Sequence, residues 1–165
     1  MSYQEKRTIV GILSGIAILT AYCLYAFNRY ASGAVAPLDL KFWATTMLIF
    51  IGIGIVASII IQIVFHILLS VSIAVTKTIH NEAVDEKEIE KSIGSEMVED
   101  ERDRLIELKS NRVGFILAGI GFVTALLALV FNYSAVVMLN ILFISFSAGS
   151  VLEGFAQLSF YRRGV

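Results

Sequence analysis

Apolar and polar positions along this chain fall into four long uncharged stretches, with one long charged stretch dividing them two and two. Thr8 to Phe27 is twenty residues without a charge, bounded by Lys6-Arg7 and Asn28-Arg29. About twenty apolar residues at ~1.5 Å of rise each span the hydrocarbon of a bilayer, so the pattern predicts a first transmembrane helix. The run exceeds the ~7–15 residues of a signal-peptide core, although Ala31-Ser32-Gly33-Ala34 would suit a peptidase. Gly11 and Gly15 form a GxxxG pair, the spacing that lets a second helix come close.

A connection containing Gly33, Pro37 and Asp39 leads to Phe42–Thr76, 35 residues with no Asp, Glu, Lys or Arg. One helix of that length would be about 50 Å long against a hydrocarbon core of ~30 Å. It must tilt, project beyond the bilayer or break. Pro37 suits a position just ahead of the helix, where its missing N–H does least harm. Lys41, Phe42 and Trp43 read as an interfacial anchor. Ser58, Gln62, His66 and Ser70 recur every four residues and share one face, predicted to turn toward other helices.

Val113–Phe131 and Ala135–Tyr161 complete the set, joined by Asn132-Tyr133-Ser134 as a tight antiparallel hairpin. Small residues recur four apart at Gly114/Ala118, Gly121/Ala125, Ser145/Gly149 and Ser150/Gly154, which predicts close helix packing. The fold class is therefore all-α: a polytopic membrane protein in one membrane domain. Its four transmembrane helices are expected at about 8–27, 42–68, 113–131 and 135–160.

The charged stretch, 77–112, holds 18 of the 27 Asp, Glu, Lys and Arg residues. Ile79, Ala83, Ile89, Ile93 and Met97 are spaced roughly as one helical stripe, Gly94-Ser95 interrupts it, and Ser95 can cap a new helix. A charged helical hairpin continuing the second and third membrane helices is the expectation, with a disordered acidic loop as the alternative. Composition agrees with the threading: 16% charged residues, 57% apolar and a mean hydropathy of +0.79, against about 25% and 45–50% in soluble domains. The net charge of -1 conceals a net of -4 in the hairpin, so there is no basic face for nucleic acid. Counting bases places both termini and the hairpin on one side. That side then holds eleven Lys and Arg residues and the other only Arg29 and Lys41. By the positive-inside rule the crowded side is cytoplasmic, and the location is the cell (inner) membrane.

Ionisable residues within membrane spans are costly and suggest function. His66 and Glu153 both fall toward the cytoplasmic third of their helices, so a His66–Glu153 pair with Gln157 one turn away would relieve both and carry protons. Alternatively Glu153 reaches the headgroups and pairs with Arg162 or Arg163. A second candidate is the box Asp100, Glu101, Arg102, Asp103 and Arg104. Its i,i+3 and i,i+4 pairs make a solvated, self-paired face, or a contact for a cytoplasmic partner. The neighbouring arginines oppose a metal there. No metal site, cofactor motif, phosphate loop or nucleophile elbow is present, which leaves the enzyme question open with the balance against one. Cys23 lies alone in the first span, where a lone cysteine usually acts as a small buried hydrophobe.

Asp100-Glu101-Arg102-Asp103, Arg112-Val113-Gly114 entering a membrane helix, Asn140 in the last helix and the ending Tyr161-Arg162-Arg163-Gly164 resemble a family of small uncharacterised bacterial four-helix integral membrane proteins. That family has a DERD-type box before its third helix and a YRRG-type tail. The resemblance covers roughly the second half and implies the architecture and a bacterial inner membrane, but no reaction. Two functional readings stand. One is assembly, as a homodimer or with another membrane or cytoplasmic protein, with the bilayer as the constant partner. The other is a small proton-linked transporter using His66, Glu153 and Gln157.

Overall fold

The computed structural model describes residues 3–33, 39–79 and 101–163. Among them are four helices, each long and apolar enough to cross a membrane. These are α1 (Tyr3–Ala31), α2 (Leu40–Ile79), α3 (Glu101–Val130) and α4 (Ala135–Arg163). No strand interrupts them among the described residues, as lipid requires of backbone groups that can find no water. Pro37, the Gly94-Ser95 interruption, Asp100 and Gly164 lie outside the described residues, as does 80–100 of the expected hairpin. The hairpin's flanks, 77–79 and 101–112, are helical and continuous with α2 and α3.

Local chemistry sets the ends. Asp39 Oδ1 accepts the Phe42 N–H at 3.1 Å, capping one of the open donors of α2. The α3–α4 turn closes through the Tyr133 N–H on the Ala128 carbonyl at 2.9 Å and the Asn132 N–H on the Leu129 carbonyl at 3.0 Å. Asn132 takes the left-handed conformation between them, with φ 62°. This is the Schellman arrangement, with Asn in the place glycine usually holds.

Helix α4 is the hub: α3 packs along it, α1 lies on another of its faces, and α2 rests on α1 and touches α4 lightly. Lipid tails are as apolar as leucine, so helices are drawn together here by close approach and by polar bonds. The α3 seam supplies the first. Its buried residues are Ile106, Ser110, Gly114, Ala118, Gly121, Ala125 and Ala128, spaced four apart as far as Ala118 and then by three, four and three. A Cβ placed on Gly149 would lie 2.9 Å from the Gly114 carbonyl oxygen, and one on Gly121 would strike Ser145. On the α1 side, a Cβ on Gly15 would lie 3.1 Å from Val151, whereas Gly11 meets nothing within 4 Å. Half of the GxxxG pair is thus a packing site, and the other half faces open space.

The second kind of link is a polar clip. The Tyr22 hydroxyl, on a side chain only 1% exposed, donates to Asn140 Oδ1 at 2.7 Å, and Asn140 Nδ2 donates to the Val136 carbonyl at 2.9 Å. Around it Tyr22, Ala26, Trp43, Met47 and Val136 form the core cluster joining α1, α2 and α4. Two sequence expectations change here. Trp43 turns its ring into this cluster, 5% exposed, with no hydrogen-bond partner for its indole N–H among the described residues. Cys23 faces out of the bundle instead of being buried.

Helix α2 is unbroken over 40 residues, about 60 Å, which removes a break from the possibilities for this segment. Its buried residues are Trp43, Thr46 and Met47; none from Leu48 to Leu68 is buried. Gly54 still approaches Ile18, at 3.9 Å for a Cβ placed there. Beyond that turn α2 and the α1–α4 pair have a cavity between them.

Gly149→Ala is expected to lower unfolding stability by ~1–3 kcal/mol, the usual cost of overpacking, since backbone and not a side-chain tip stands in the way. Gly119→Ala, which meets nothing within 4 Å, is expected to lose nothing. Denaturant titration in bicelles compares the two, and equal losses would contradict the seam.

Candidate functional site

Two adjoining cavities open at the end of the bundle where α1 starts, α3 starts and α4 ends. The larger, of about 640 Å³, is a cleft between α1, α2 and α4. Its walls change character along its length. Toward the Trp43 cluster they are Ile18, Leu19, Phe50, Ile51, Phe143 and Phe146; toward the open end they include Arg7, Thr8, Gln62, Ser150, Glu153 and Gln157. The smaller cavity, of about 230 Å³, is polar and is formed by Gln4, Arg7, Thr8, Asp103, Glu107, Glu153, Gln157 and Tyr161. Arg7, Thr8, Glu153 and Gln157 line both, so these four side chains are the passage between the cleft and the polar chamber.

Helix geometry puts them there. On α1, Thr8, Ile12, Gly15, Tyr22 and Ala26 lie on the stripe turned toward α4, and their partners descend α4 in antiparallel order. The Thr8 hydroxyl sits 3.2 Å from Gln157 Oε1 and 2.9 Å from the Gln4 carbonyl. A Cβ on Gly154 would press on Ile12 at 2.6 Å, and Tyr22 reaches Asn140 at the far end. Glu153 lies beside the α3 seam, where a Cβ on Gly114 would be 2.9 Å from its Oε2. Glycine at 114 thus makes room for the carboxylate on α4.

Among the described residues, the cavities gather one guanidinium, Arg7, and three carboxyl groups, Asp103, Glu107 and Glu153. Depth follows from counting. Glu153 is 18 residues from Ala135, or about 27 Å along the helix, and Arg7 is 20 residues, about 30 Å, from Phe27 at the far end of the uncharged run of α1. Both therefore lie at the hydrocarbon–headgroup boundary of one leaflet. Ser58 and Gln62 extend from α2 into the cleft. The Ser58 hydroxyl bonds the Gly54 carbonyl of its own helix at 2.9 Å, and the Gln62 amide has no such partner among the described residues.

The residues singled out from the sequence separate as follows. Glu153 and Gln157 share both linings, while His66 is exposed on α2 and lines neither. Arg162 and Arg163 are exposed and also line neither; Arg7 is the base that lines both cavities with Glu153. Within the charged box, Glu101, Arg102 and Arg104 are exposed at the start of α3, and Asp103 turns toward the polar chamber. Arg7, Thr8 and Glu107 were not anticipated. The signal that would have found Arg7 and Thr8 is the spacing of Thr8, Ile12, Gly15, Tyr22 and Ala26, a stripe of small and polar residues that continues to the first charged turn.

Among the described residues, no group of three or more His, Cys, Asp or Glu side chains is arranged to hold a metal ion. No family model matches the chain, and no match was found among curated proteins or solved structures.

With Cys23 replaced by Ser, a cysteine at Ser150, exposed on the cleft wall, is expected to react with a small water-soluble thiol reagent in intact bilayers. A cysteine at Ala125, 1% exposed in the α3 seam, is expected to stay unlabelled. Equal protection of both would show a cleft closed to water.

Proposed function

We propose that this chain is a multi-pass protein of the bacterial cell (inner) membrane that acts by assembly, with both termini and residues 77–112 in the cytoplasm. In this reading α1, α3 and α4 are the packed body. Helix α2 is the arm that meets a second copy or another membrane protein, and the charged box at the start of α3 faces a cytoplasmic factor. The sidedness rests on the excess of Lys and Arg at the termini and in 77–112. The bacterial location rests on the DERD-type and YRRG-type resemblance.

One observation carries the assembly reading: from Leu48 to Leu68 no residue of α2 is buried, yet this stretch carries polar side chains. Exposed isoleucine and valine are at ease in lipid, but an amide such as that of Gln62 gains from meeting another helix. His66 lies about 80° around the helix from Ser58. It therefore leaves the cleft side for the rim, where an incoming helix would reach it. At the same end Glu101, Arg102 and Arg104 are exposed and project beyond the spans.

A second reading, a small proton-linked transporter, is favoured by the placing of Glu153 and Gln157 in both cavities. It makes Glu153 the proton carrier, with Arg7 rather than His66 as the ionisable neighbour.

In a Cys23→Ser background, a cysteine at Ile63, on the His66 side of α2, is expected to cross-link in native membranes to a second copy or to one discrete partner. A cysteine at Val123 on the exposed face of α3 is expected not to. Charge reversal at Arg102 and Arg104 is expected to reduce recovery of a cytoplasmic partner. Identical cross-linking at both cysteines, with recovery unchanged, would reject assembly. Proton-coupled flux in liposomes that disappears in Glu153→Gln, with assembly intact, would favour transport instead.

A further inference from the structure

The cleft between α1, α2 and α4 has the form of half a bilayer. Its α1 wall runs from Arg7 to Leu19, about 18 Å along the helix, against ~15 Å for one leaflet of a ~30 Å hydrocarbon core. It runs toward the aromatic group of Tyr22, Phe50 and Phe143, which sits about 8 Å short of the Phe27 level; the rings of Phe50 and Phe143 lie 5.4 and 4.3 Å from that of Tyr22. A membrane-crossing helix needs the full ~30 Å, longer than this wall. An acyl chain of a single leaflet does not. The volume of about 640 Å³ falls within the ~300–1,000 Å³ typical of sites for single small molecules.

The two ends differ in chemistry as an amphiphile does. The deep end is aliphatic and aromatic, through Ile18, Phe50 and Phe143. The end at the headgroup boundary carries Arg7 and Glu153, with Asp103 and Glu107 in the adjoining chamber. A guanidinium there is a phosphate ligand that keeps its charge, and carboxylates accept ammonium N–H groups. A purely anionic headgroup would meet three carboxyl groups for one base. A quaternary ammonium, with no N–H to donate, binds best in an aromatic cage. Among the described residues, Tyr161 is the only aromatic one lining the polar chamber.

We propose that this cleft is a binding site for one phospholipid with a primary-ammonium headgroup: Arg7 holds the phosphate, Glu153 receives the ammonium, and the acyl chain runs along Ile18 and Phe50. The Gln62 amide, facing the cleft at the same level, then meets headgroup or glycerol oxygens. The site is independent of the assembly reading, whose contact is the His66 and Ile63 side of α2.

The test is native mass spectrometry of the full chain in mild detergent. It is titrated with phosphatidylethanolamine, phosphatidylcholine and phosphatidylglycerol of identical acyl chains, and separately with soluble phosphoethanolamine. One phosphatidylethanolamine is expected to be retained at least about tenfold more tightly than either other lipid, the worth of one charge-assisted hydrogen bond. Glu153→Gln is expected to erase that preference while keeping lipid bound, and Arg7→Ala to weaken all three. Gly11→Leu, at a position where a Cβ meets nothing within 4 Å, is expected to fill the cleft and abolish retention with no loss of thermal stability. Soluble phosphoethanolamine is expected not to displace the lipid. Equal retention of the three lipids, a preference that survives Glu153→Gln, or retention unchanged in Gly11→Leu would overturn the proposal. So would displacement by the soluble headgroup, or a dimer that carries no lipid.

Discussion

Because lipid offers a helix surface nothing worse than another helix does, this bundle depends on the few places where backbones come nearly into contact. The α3–α4 seam is the clearest, with Gly149 against the Gly114 carbonyl and Gly121 against Ser145. There the absence of a side chain lets dispersion contacts accumulate along two helices. The α1–α4 face uses the same device at Gly15 and Gly154, and adds the Tyr22–Asn140 hydrogen bond. Helix α2 has little of either. Its attachment is the Trp43–Met47 turn on Tyr22 and Ala26, followed by one close approach at Gly54. The cleft is the direct consequence: where small residues and polar bonds run out, α2 and the body part.

That distribution also explains why polar residues collect where they do. Arg7, Thr8, Glu153 and Gln157 sit at the boundary of the hydrocarbon, where the cost of an ionisable group falls, and at the open end of the cleft. Farther in, several hydroxyls have protein partners. The Tyr22 hydroxyl has Asn140, and the Ser58 and Thr124 hydroxyls return to carbonyls of their own helices at 2.9 and 2.8 Å.

Much of this was legible in the sequence. Four uncharged runs of sufficient length become four helices, and the Gly114/Ala118 and Gly121/Ala125 pairs mark the seam. What could not be read is the register between helices, because each helix carries its own periodicity but no label for its neighbour. Glu153 looked as though it would answer to His66 or to Arg162, which are near it in depth or in sequence. The base that shares both cavities with it is Arg7, which at the edge of a span looks like any flanking base that obeys the positive-inside rule. Trp43 and Cys23 were misjudged for a related reason. Residue type suggests a preferred depth, but the face of the helix decides whether a side chain meets lipid or core. Of the stripe Ser58, Gln62, His66 and Ser70, the first two face the cleft, His66 does not line it, and the Ser70 side chain lies outside the described residues.

The central claim is that α2 is fastened at its Trp43 end and stands away from α1 at the Arg7 end. Distances between spin labels in a lipid bilayer, taken by double electron–electron resonance in a Cys23→Ser background, measure this directly. The contacts of Tyr22 with Phe50 and Ile18 with Gly54 set the antiparallel register, so Phe27 and Thr45 are level at one end and Lys6 and Ile67 at the other. The Lys6–Ile67 separation should exceed that of Phe27–Thr45. Equal separations, as for two helices packed side by side throughout, would contradict the cleft and everything inferred from it.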